Sequence, residues 1–189
     1  PAVVDGVMYA AIDDEKLIAV DAANGKQIWS VELPDDLVSS PAVVDGVIYI
    51  ASQYGGLHAL DVTDGSELWT FAEAAGEASP AVADGTVYAG GRNGNLYAID
   101  ATDGSEIWSF ETNDKIVASP VIAGDTVYVA SFDDVLYAVD RANGTESWYM
   151  TAVNDFIASP VVWNGMVISA SLDGNLYAVA ADPSQPDEE

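Results

Sequence analysis

Cysteine is absent from this sequence of 189 residues, which excludes disulfides, thiolate metal sites and cysteine nucleophiles. Histidine occurs once, at His58, so histidine-based acid–base chemistry has a single candidate. No apolar run approaches the roughly 20 residues that a helix needs to cross a bilayer. A signal peptide is also absent, and because the chain begins at Pro1 without a methionine, we expect a processed or truncated polypeptide.

Basic residues are scarce as well. Lysine and arginine number 5 against 31 aspartates and glutamates, for a formal net charge of −26. Nucleic-acid binding needs clustered basic side chains, so this function is excluded, and direct insertion into or adhesion to an anionic membrane is disfavoured. An acidic surface around a normal apolar core resembles proteins of salt-loving microbes, and it implies adaptation to high salt, where self-repulsion is screened. The alternative is an ordinary acidic secreted protein.

The sequence does contain a repeated motif, Ala-x-Asp-x-x-x-Gly-x-x-x-Trp. A fifth copy begins at Ala178, but it has Ala180 where aspartate is expected and no tryptophan follows. Self-similarity with a period of about 40 residues indicates a repeat architecture. The tryptophans of the four complete copies are Trp29, Trp69, Trp108 and Trp148.

Each repeat is predicted to form four short β-strands. In the second repeat, two β-branched runs flank Asp45-Gly46, the strongest local signal for a hairpin with a type I′ turn. A third strand follows at residues 57–61, and a fourth strand, which carries the tryptophan, follows at residues 67–71. No segment has the apolar spacing of a helix, which excludes helical repeats. The equivalent turns are Asp5-Gly6, Asp84-Gly85, Gly124-Asp125 and Asn164-Gly165.

These strands predict an all-β fold, a β-propeller of four-stranded antiparallel blades. A sheet that is apolar on both faces must be covered on both, and stacking copies around a ring does this. The predicted domain covers residues 1–181, followed by a disordered acidic tail at 182–189. The predicted blades cover about residues 1–40, 41–79, 80–119, 120–159 and 160–181.

The fifth repeat lacks the fourth, tryptophan-bearing strand. Three arrangements are compatible with this. The five blades can close into a monomeric ring with one short blade, the chain can be an arc of a larger ring, or open chains can pair as oligomers. The prediction favours closure and leaves the other two open.

The motif resembles the tryptophan-docking motif of the pyrroloquinoline-quinone (PQQ) repeat propellers. The segment Asp173 to Ala178, Asp-Gly-Asn-Leu-Tyr-Ala, also resembles the repeats of that family. That family includes quinoprotein alcohol dehydrogenases and the outer-membrane assembly lipoprotein BamB, and the resemblance extends over about residues 1–180. The physical chemistry of the motif agrees with a structural role. Each tryptophan offers a broad apolar face for packing between adjacent blades and an indole N–H for a carbonyl, while each motif glycine suits a turn with positive φ.

Enzyme chemistry is not expected. The resemblance implies that a quinone dehydrogenase would use adjacent cysteines, a tryptophan platform and calcium, whereas this chain has no cysteine and only Trp163 outside the motif. No cofactor is therefore predicted. Loops such as Asp61 to Glu67 superficially resemble calcium loops but lack EF-hand spacing, and turn formation explains their carboxylates, so calcium binding stays open. His58 replaces a third-strand tyrosine, and a structural role is expected for it.

Binding is the remaining class of function. In a propeller, the loops between the second and third strands and the connectors between blades open onto one face. The loops between the second and third strands vary most between the repeats. Exposed apolar groups often mark partner sites, although the same side chains could instead fold onto the rim of the core. The candidate partner-binding residues are Tyr54, Arg92, Phe132, Phe156 and Leu172.

The predicted function is that of a non-catalytic scaffold for protein–protein binding, located outside the cytoplasm or at the cell surface and adapted to high salt. BamB-like assembly function is one analogue. Two alternatives are kept: the propeller portion of a larger, quinoprotein-like enzyme or sensor, and a structural cell-surface module. The sequence does not identify the partner.

Overall fold

The computed structural model describes residues 1–12 and 15–181, which form five antiparallel β-sheets. The first sheet contains β1 (Ala2–Val4), β2 (Val7–Ile12), β3 (Lys16–Asp21) and β4 (Gln27–Glu32). The second contains β5 (Ala42–Val44), β6 (Val47–Ser52), β7 (Gly56–Asp61) and β8 (Glu67–Phe71), followed by a 3-10 turn at Ala72–Ala74. The third contains β9 (Ala81–Ala83), β10 (Thr86–Gly90), β11 (Asn95–Asp100) and β12 (Glu106–Glu111).

The last two sheets follow the same plan, but the fifth is shorter. The fourth sheet contains β13 (Val121–Ala123), β14 (Thr126–Ala130), β15 (Val135–Asp140) and β16 (Glu146–Thr151). The fifth contains β17 (Val161–Trp163), β18 (Met166–Ala170) and β19 (Leu176–Ala180). Strands pair in chain order within every sheet, so each sheet is a meander. The predicted tail at 182–189 lies outside the described residues.

The hairpin turns between the first and second strands adopt the predicted backbone geometry with one exception. Asp45 and Gly46 both have positive φ, 50° and 82°, as a type I′ turn requires. The fourth sheet differs from the prediction, since in its Gly124-Asp125 turn only Gly124 has a positive φ, of 57°. Glycine at the first central position favours a type II′ turn, which twists a hairpin in the same direction.

The hydrophobic core lies between neighbouring sheets and is divided into four clusters, one for each interface. Between the first and second sheets, Leu17 and Leu33 pack against Ile48 and Ile50. The innermost strands contact one another in order, from β1 through β5, β9 and β13 to β17. Because each middle sheet buries both of its faces, its second and third strands are apolar without alternation.

Each motif tryptophan joins its sheet to the next one along the chain. Its indole N–H donates to a backbone carbonyl there, for example from Trp108 Nε1 to Arg141 O at 3.0 Å. The rings of the first three motif tryptophans also lie on the glycine of the next motif: a Cβ added to Gly144 would lie 2.7 Å from Trp108. The other indole bonds are Trp29 to Val62 O (2.9 Å), Trp69 to Ala101 O (3.1 Å) and Trp148 to Ala181 O (3.1 Å).

The outer faces of the first and fifth sheets are open. Val3 on β1 and Trp163 on β17 are well exposed, and Leu176 on β19 is exposed as well, whereas the corresponding first strands of the three middle sheets are half-buried. A ring closed by five blades would cover these faces. The structure therefore departs from the closure that the sequence analysis favoured, because the end sheets do not bury each other.

Candidate partner-binding face

The loops between the second and third strands meet the connectors between sheets on one side of the molecule, which we call the loop face. One hydrogen bond, repeated from sheet to sheet, fixes each loop to the connector before it. In the third sheet, the Arg92 amide donates to Ala75 O at 2.8 Å, and in the fourth, the Phe132 amide donates to Lys115 O at 3.1 Å. The equivalent bonds are Gln53 to Asp36 O and Leu172 to Asp155 O, both 2.9 Å.

Tyr54 and Arg92 form one feature of the loop face. Tyr54 is 68% exposed. The Arg92 guanidinium carbon lies 5.1 Å from the centroid of the Tyr54 ring, within cation–π distance, and Arg92 Nη1 donates to Glu77 Oε1 at 2.7 Å. The second and third sheets thus present an aromatic ring with a fixed cation beside it.

Tyr54 is exposed because its loop is stabilised differently from the others. In the later sheets the equivalent position holds a polar residue that bonds the third-strand tyrosine: Asn93 Nδ2 donates to Tyr97 Oη at 2.7 Å, and Tyr137 Oη donates to Asp133 Oδ2 at 2.7 Å. In the second sheet the third-strand tyrosine is replaced by His58. Its loop residue therefore needs no polar side chain, and Tyr54 extends into solvent.

In the second sheet, the loop is held instead by Asp35, which lies in the connector between the first and second sheets. Its Oδ2 accepts hydrogen bonds from the backbone amides of Tyr54 and Gly55, the latter at 2.8 Å. Desolvation acts to raise the pKa of Asp35, but the amides of Tyr54, Asp36 and Gly55 outweigh it and lower that pKa below its ordinary value. The Asp35 carboxylate therefore fixes the backbone of the loop that carries the exposed Tyr54 ring.

Phe132 and Lys115 form a second feature of the same kind. Lys115 Nζ lies 4.1 Å from the centroid of the half-buried Phe132 ring. Lys115 also lines a shallow polar depression of about 380 Å³ together with Arg92, Asn93 and Asn113. Two of the five basic residues of the chain, each beside an aromatic ring, therefore line one depression on an otherwise acidic protein.

Leu172 is 51% exposed at the equivalent position of the fifth sheet, whereas Phe156 does not belong to the face. Phe156 is fully buried, and its ring packs edge-on against Tyr177 with centroids 5.6 Å apart. This corrects the prediction that placed Phe156 among exposed partner-binding residues. Its connector position matches that of the buried residues Leu37 and Ile116, and this regularity in the sequence was the signal that could have identified it as core.

A buried polar cluster around His58 was not anticipated from the sequence. Ser52 Oγ lies 3.1 Å from His58 Nε2, and Glu67 Oε2 lies 3.0 Å from Nδ1. Although the order serine–histidine–carboxylate is that of a hydrolase triad, Ser52 is fully buried and its hydroxyl donates to Gly56 O at 3.2 Å. A Cβ on Gly55 would lie 2.6 Å from Ser52 Oγ, so the loop covers the hydroxyl closely. The cluster satisfies buried polar groups and offers no nucleophile to a substrate.

The cluster predicts a specific pH dependence of stability. The hydrogen bond from His58 lowers the pKa of Glu67 below its ordinary value. Such a carboxyl stabilises the fold above the ordinary carboxyl range, and the contribution is lost as the pH falls through the folded-state pKa. As the pH falls from about 7 to about 3, the free energy of unfolding of Glu67→Gln should decrease less than that of the wild type. The difference should be under about 1 kcal/mol, because Glu67 is nearly half exposed.

Denaturant titrations at several pH values measure this difference. Glu106→Gln is the matched control, since Glu106 occupies the same position of the third sheet and accepts a hydrogen bond from the Ser109 hydroxyl rather than from a histidine. Equal flattening of the pH profile in both variants would contradict the assignment to the His58–Glu67 pair.

The aspartates of the repeat motif are used within their own turns. Asp61 Oδ1 accepts the Thr63 amide at 2.7 Å, and Asp64 Oδ1 accepts the Ser66 amide at 2.9 Å. Among residues 1–12 and 15–181, no group of three or more histidine, cysteine, aspartate or glutamate side chains could hold a metal ion. The carboxylates thus have a local role in the turns, as side-chain caps of backbone amides.

Fold and tryptophan contacts together define the class of protein, a β-propeller of repeats linked by tryptophans. A family model described as outer membrane protein assembly factor BamB matches residues 1–112 and 92–185. Since these ranges cover nearly the whole chain, the protein belongs to this family of PQQ-like repeat propellers. No curated protein sequence matches the chain.

Solved structures of similar fold include natural and designed propellers. BamB from Moraxella catarrhalis has a TM-score of 0.84 and 25% identity, over 93% of this chain and 55% of that chain. The computationally designed Ika8 protein has a TM-score of 0.83 and 14% identity, over 95% and 57%. Quinohemoprotein alcohol dehydrogenase from Comamonas testosteroni has a TM-score of 0.80 and 18% identity, over 95% and 40%. The last two show the fold alone, and the chain spans about half the length of that BamB.

The residues of the described chain do not fit a quinone site of the dehydrogenase type. The family resemblance implies a tryptophan platform for the quinone, but the four motif tryptophans lie against the glycines or carbonyls of neighbouring sheets. Trp163, the remaining one, is 69% exposed on an outer face. No catalytic step through a quinone is therefore derived for these residues.

Proposed function

We propose that the chain is a non-catalytic β-propeller scaffold that binds a protein partner through the loop face, outside the cytoplasm or at the cell surface. The observation that carries the proposal is the row formed by the exposed Tyr54, the cations Arg92 and Lys115, and the exposed Leu172. Aromatic and arginine side chains are the residues that most often anchor protein interfaces. The family is named for an outer membrane protein assembly factor, which supports both the scaffold role and the location.

Residues 1–12 and 15–181 contain no candidate membrane-spanning helix. The predicted adaptation to high salt is part of the proposal and rests on the net charge of −26. The propeller portion of a larger quinoprotein-like enzyme or sensor is the second candidate, favoured by the quinohemoprotein's similar fold, and a structural surface module is the third.

The loop face can be tested with peptides selected for binding to the full chain from a displayed random library. We expect the double variant Tyr54→Ser/Leu172→Ser to bind the selected peptides at least about tenfold more weakly, because exposed aromatic and aliphatic anchors carry most of such binding energy. The variant should unfold at the wild-type denaturant concentration, since both side chains are exposed.

The matched control is Leu68→Ser/Ile107→Ser, which removes two side chains of similar exposure from the fourth strands β8 and β12. This control should bind the peptides as the wild type does. If the loop-face variant kept full affinity while the control lost it, the binding surface would have to be placed on the outer strands instead.

A further inference from the structure

One surface asparagine of this chain lies in the sequence that N-glycosylation requires. Asn143-Gly144-Thr145 has the form asparagine, any residue except proline, then serine or threonine, which is the acceptor for transfer of an oligosaccharide to the side-chain amide. It is the only such triplet among the eight asparagines of the sequence. The triplet lies in the turn between β15 and β16, and the side chains of Asn143 and Thr145 are both exposed.

The hydrogen bonds of this turn leave the amide nitrogen of Asn143 available. Asn143 Oδ1 accepts the Thr145 backbone amide at 2.9 Å and the Thr145 hydroxyl at 2.6 Å. Because a backbone N–H donates to this atom, the atom is the amide oxygen, and the other one is the nitrogen Nδ2. Within the described part of the chain, Nδ2 has no hydrogen-bond acceptor. The nitrogen that would form the bond to a sugar is therefore free, on an exposed side chain.

The corresponding turn of the first sheet shows that this arrangement is not a general property of the repeat. Asn24 occupies the position of Asn143, and its Oδ1 likewise accepts the amide two residues later, at 2.9 Å. However, Asn24 Nδ2 donates to Asp21 Oδ2 at 2.9 Å, and Lys26 stands in the place of Thr145. The first sheet thus lacks both the free nitrogen and the hydroxyl of the acceptor triplet.

Turn formation does not require asparagine at position 143. In the second and third sheets the same position holds Asp64 and Asp103, and their carboxylates accept the backbone amide two residues later, each at 2.9 Å. A serine supplies that amide in both sheets, so the turn does not require threonine either. What the fourth sheet adds to the common turn is a neutral amide nitrogen together with a hydroxyl two residues later, the two groups that define the acceptor.

The turn lies at the end of the sheet opposite to the loop face. Strands pair in chain order, so the turn between the first and second strands and the turn between the third and fourth share one end. The two turns contact each other directly, since the Arg141 amide donates to Asp125 O at 2.9 Å. An oligosaccharide on Asn143 would therefore leave the loop face accessible.

We propose that Asn143 is an N-glycosylation site, with a lipid-linked oligosaccharide as the donor. Asn143 Nδ2 forms a bond to the anomeric carbon of the oligosaccharide and releases one proton. The bond from that carbon to the phosphate oxygen of the lipid carrier breaks, and its electron pair leaves with the phosphate. Because such acceptors are used in secreted proteins, the inference rests on the proposed location outside the cytoplasm.

The test is peptide mapping by mass spectrometry of the protein isolated from its own cells, with variants expressed in the same cells. The peptide that contains Asn143 should carry an oligosaccharide, and the peptide that contains Asn24 should carry none. Asn143→Asp should lose the modification completely and still fold as the wild type by circular dichroism, because Asp64 supports the same turn. Thr145→Ser should keep the modification, whereas Thr145→Ala should lose it.

Each other result contradicts a defined part of the proposal. An unmodified Asn143 in protein recovered from outside the cytoplasm would overturn the glycosylation and leave the proposed location standing. Unmodified protein found only in the cytoplasm would overturn both. A modification that persists in Thr145→Ala, or that occurs equally on Asn24, would also overturn the proposal, since the acceptor triplet would then not determine the site.

Discussion

Replacing Trp108 with alanine is expected to lower the free energy of unfolding by about 3–5 kcal/mol. Trp108 is the most buried of the motif tryptophans, and its ring lies between the third and fourth sheets, against Tyr88 and Gly144. Truncation removes this contact, opens a cavity between two sheets and leaves Arg141 O without the indole N–H that it receives at 3.0 Å. Both consequences act on the same interface.

Denaturant titrations followed by circular dichroism measure the loss. Trp163→Ala is the matched control, because it removes the same side chain from an exposed position, and it should change stability by no more than about 0.5 kcal/mol. In a repeat protein the stability is a sum of repeat and interface contributions, so the variant should also show earlier hydrogen exchange at the third–fourth interface. A loss below about 1 kcal/mol would contradict the inter-sheet role of the tryptophan.

The second large effect is expected at the glycine that faces the preceding tryptophan. Gly104→Ala should cost about 2–5 kcal/mol, since it combines a positive φ of 76° with a Cβ only 2.7 Å from Trp69. The ring is fixed by its hydrogen bond to Ala101 O and by packing against Tyr49, and therefore it cannot move away without breaking these contacts.

Gly85→Ala separates the two causes. Gly85 has nearly the same φ, 74°, but a Cβ there would meet nothing within 4 Å. This control should cost only the backbone strain of about 1–2 kcal/mol. The difference between the two variants is the steric contribution of the tryptophan contact, and equal losses would show that the glycine is required for its backbone conformation alone.

The second sheet illustrates how one substitution within a repeat changes a surface. His58 takes the place of the tyrosine that bonds its own loop in the later sheets, and it bonds Ser52 and Glu67 instead. Its loop is then held from the connector by Asp35, which frees position 54 for an exposed tyrosine beside Arg92. The specialised part of the proposed binding face is thus linked to a buried histidine.

The sequence alone determined the repeat architecture, and the reason is that its causes are local. Asp-Gly pairs fix hairpin turns within four residues, and apolar β-branched runs fix the strands between them. The motif spacing placed tryptophan and glycine at constant positions of the first four blades, which was enough to predict the propeller. The one turn that differed, Gly124-Asp125, reverses the order of the two residues, and this reversal was visible in the sequence.

Only the tertiary structure decided which side chains are exposed and which polar groups meet, because those outcomes depend on contacts between distant parts of the chain. Tyr54 is exposed because His58 replaces the tyrosine that its loop would otherwise bond and because Asp35, from a distant connector, accepts the amide of Gly55 at 2.8 Å. The contact of Ser52 with His58 arises only when β6 and β7 pair. The open outer faces of the end sheets likewise follow from how sheets stack, which the composition of one blade does not encode.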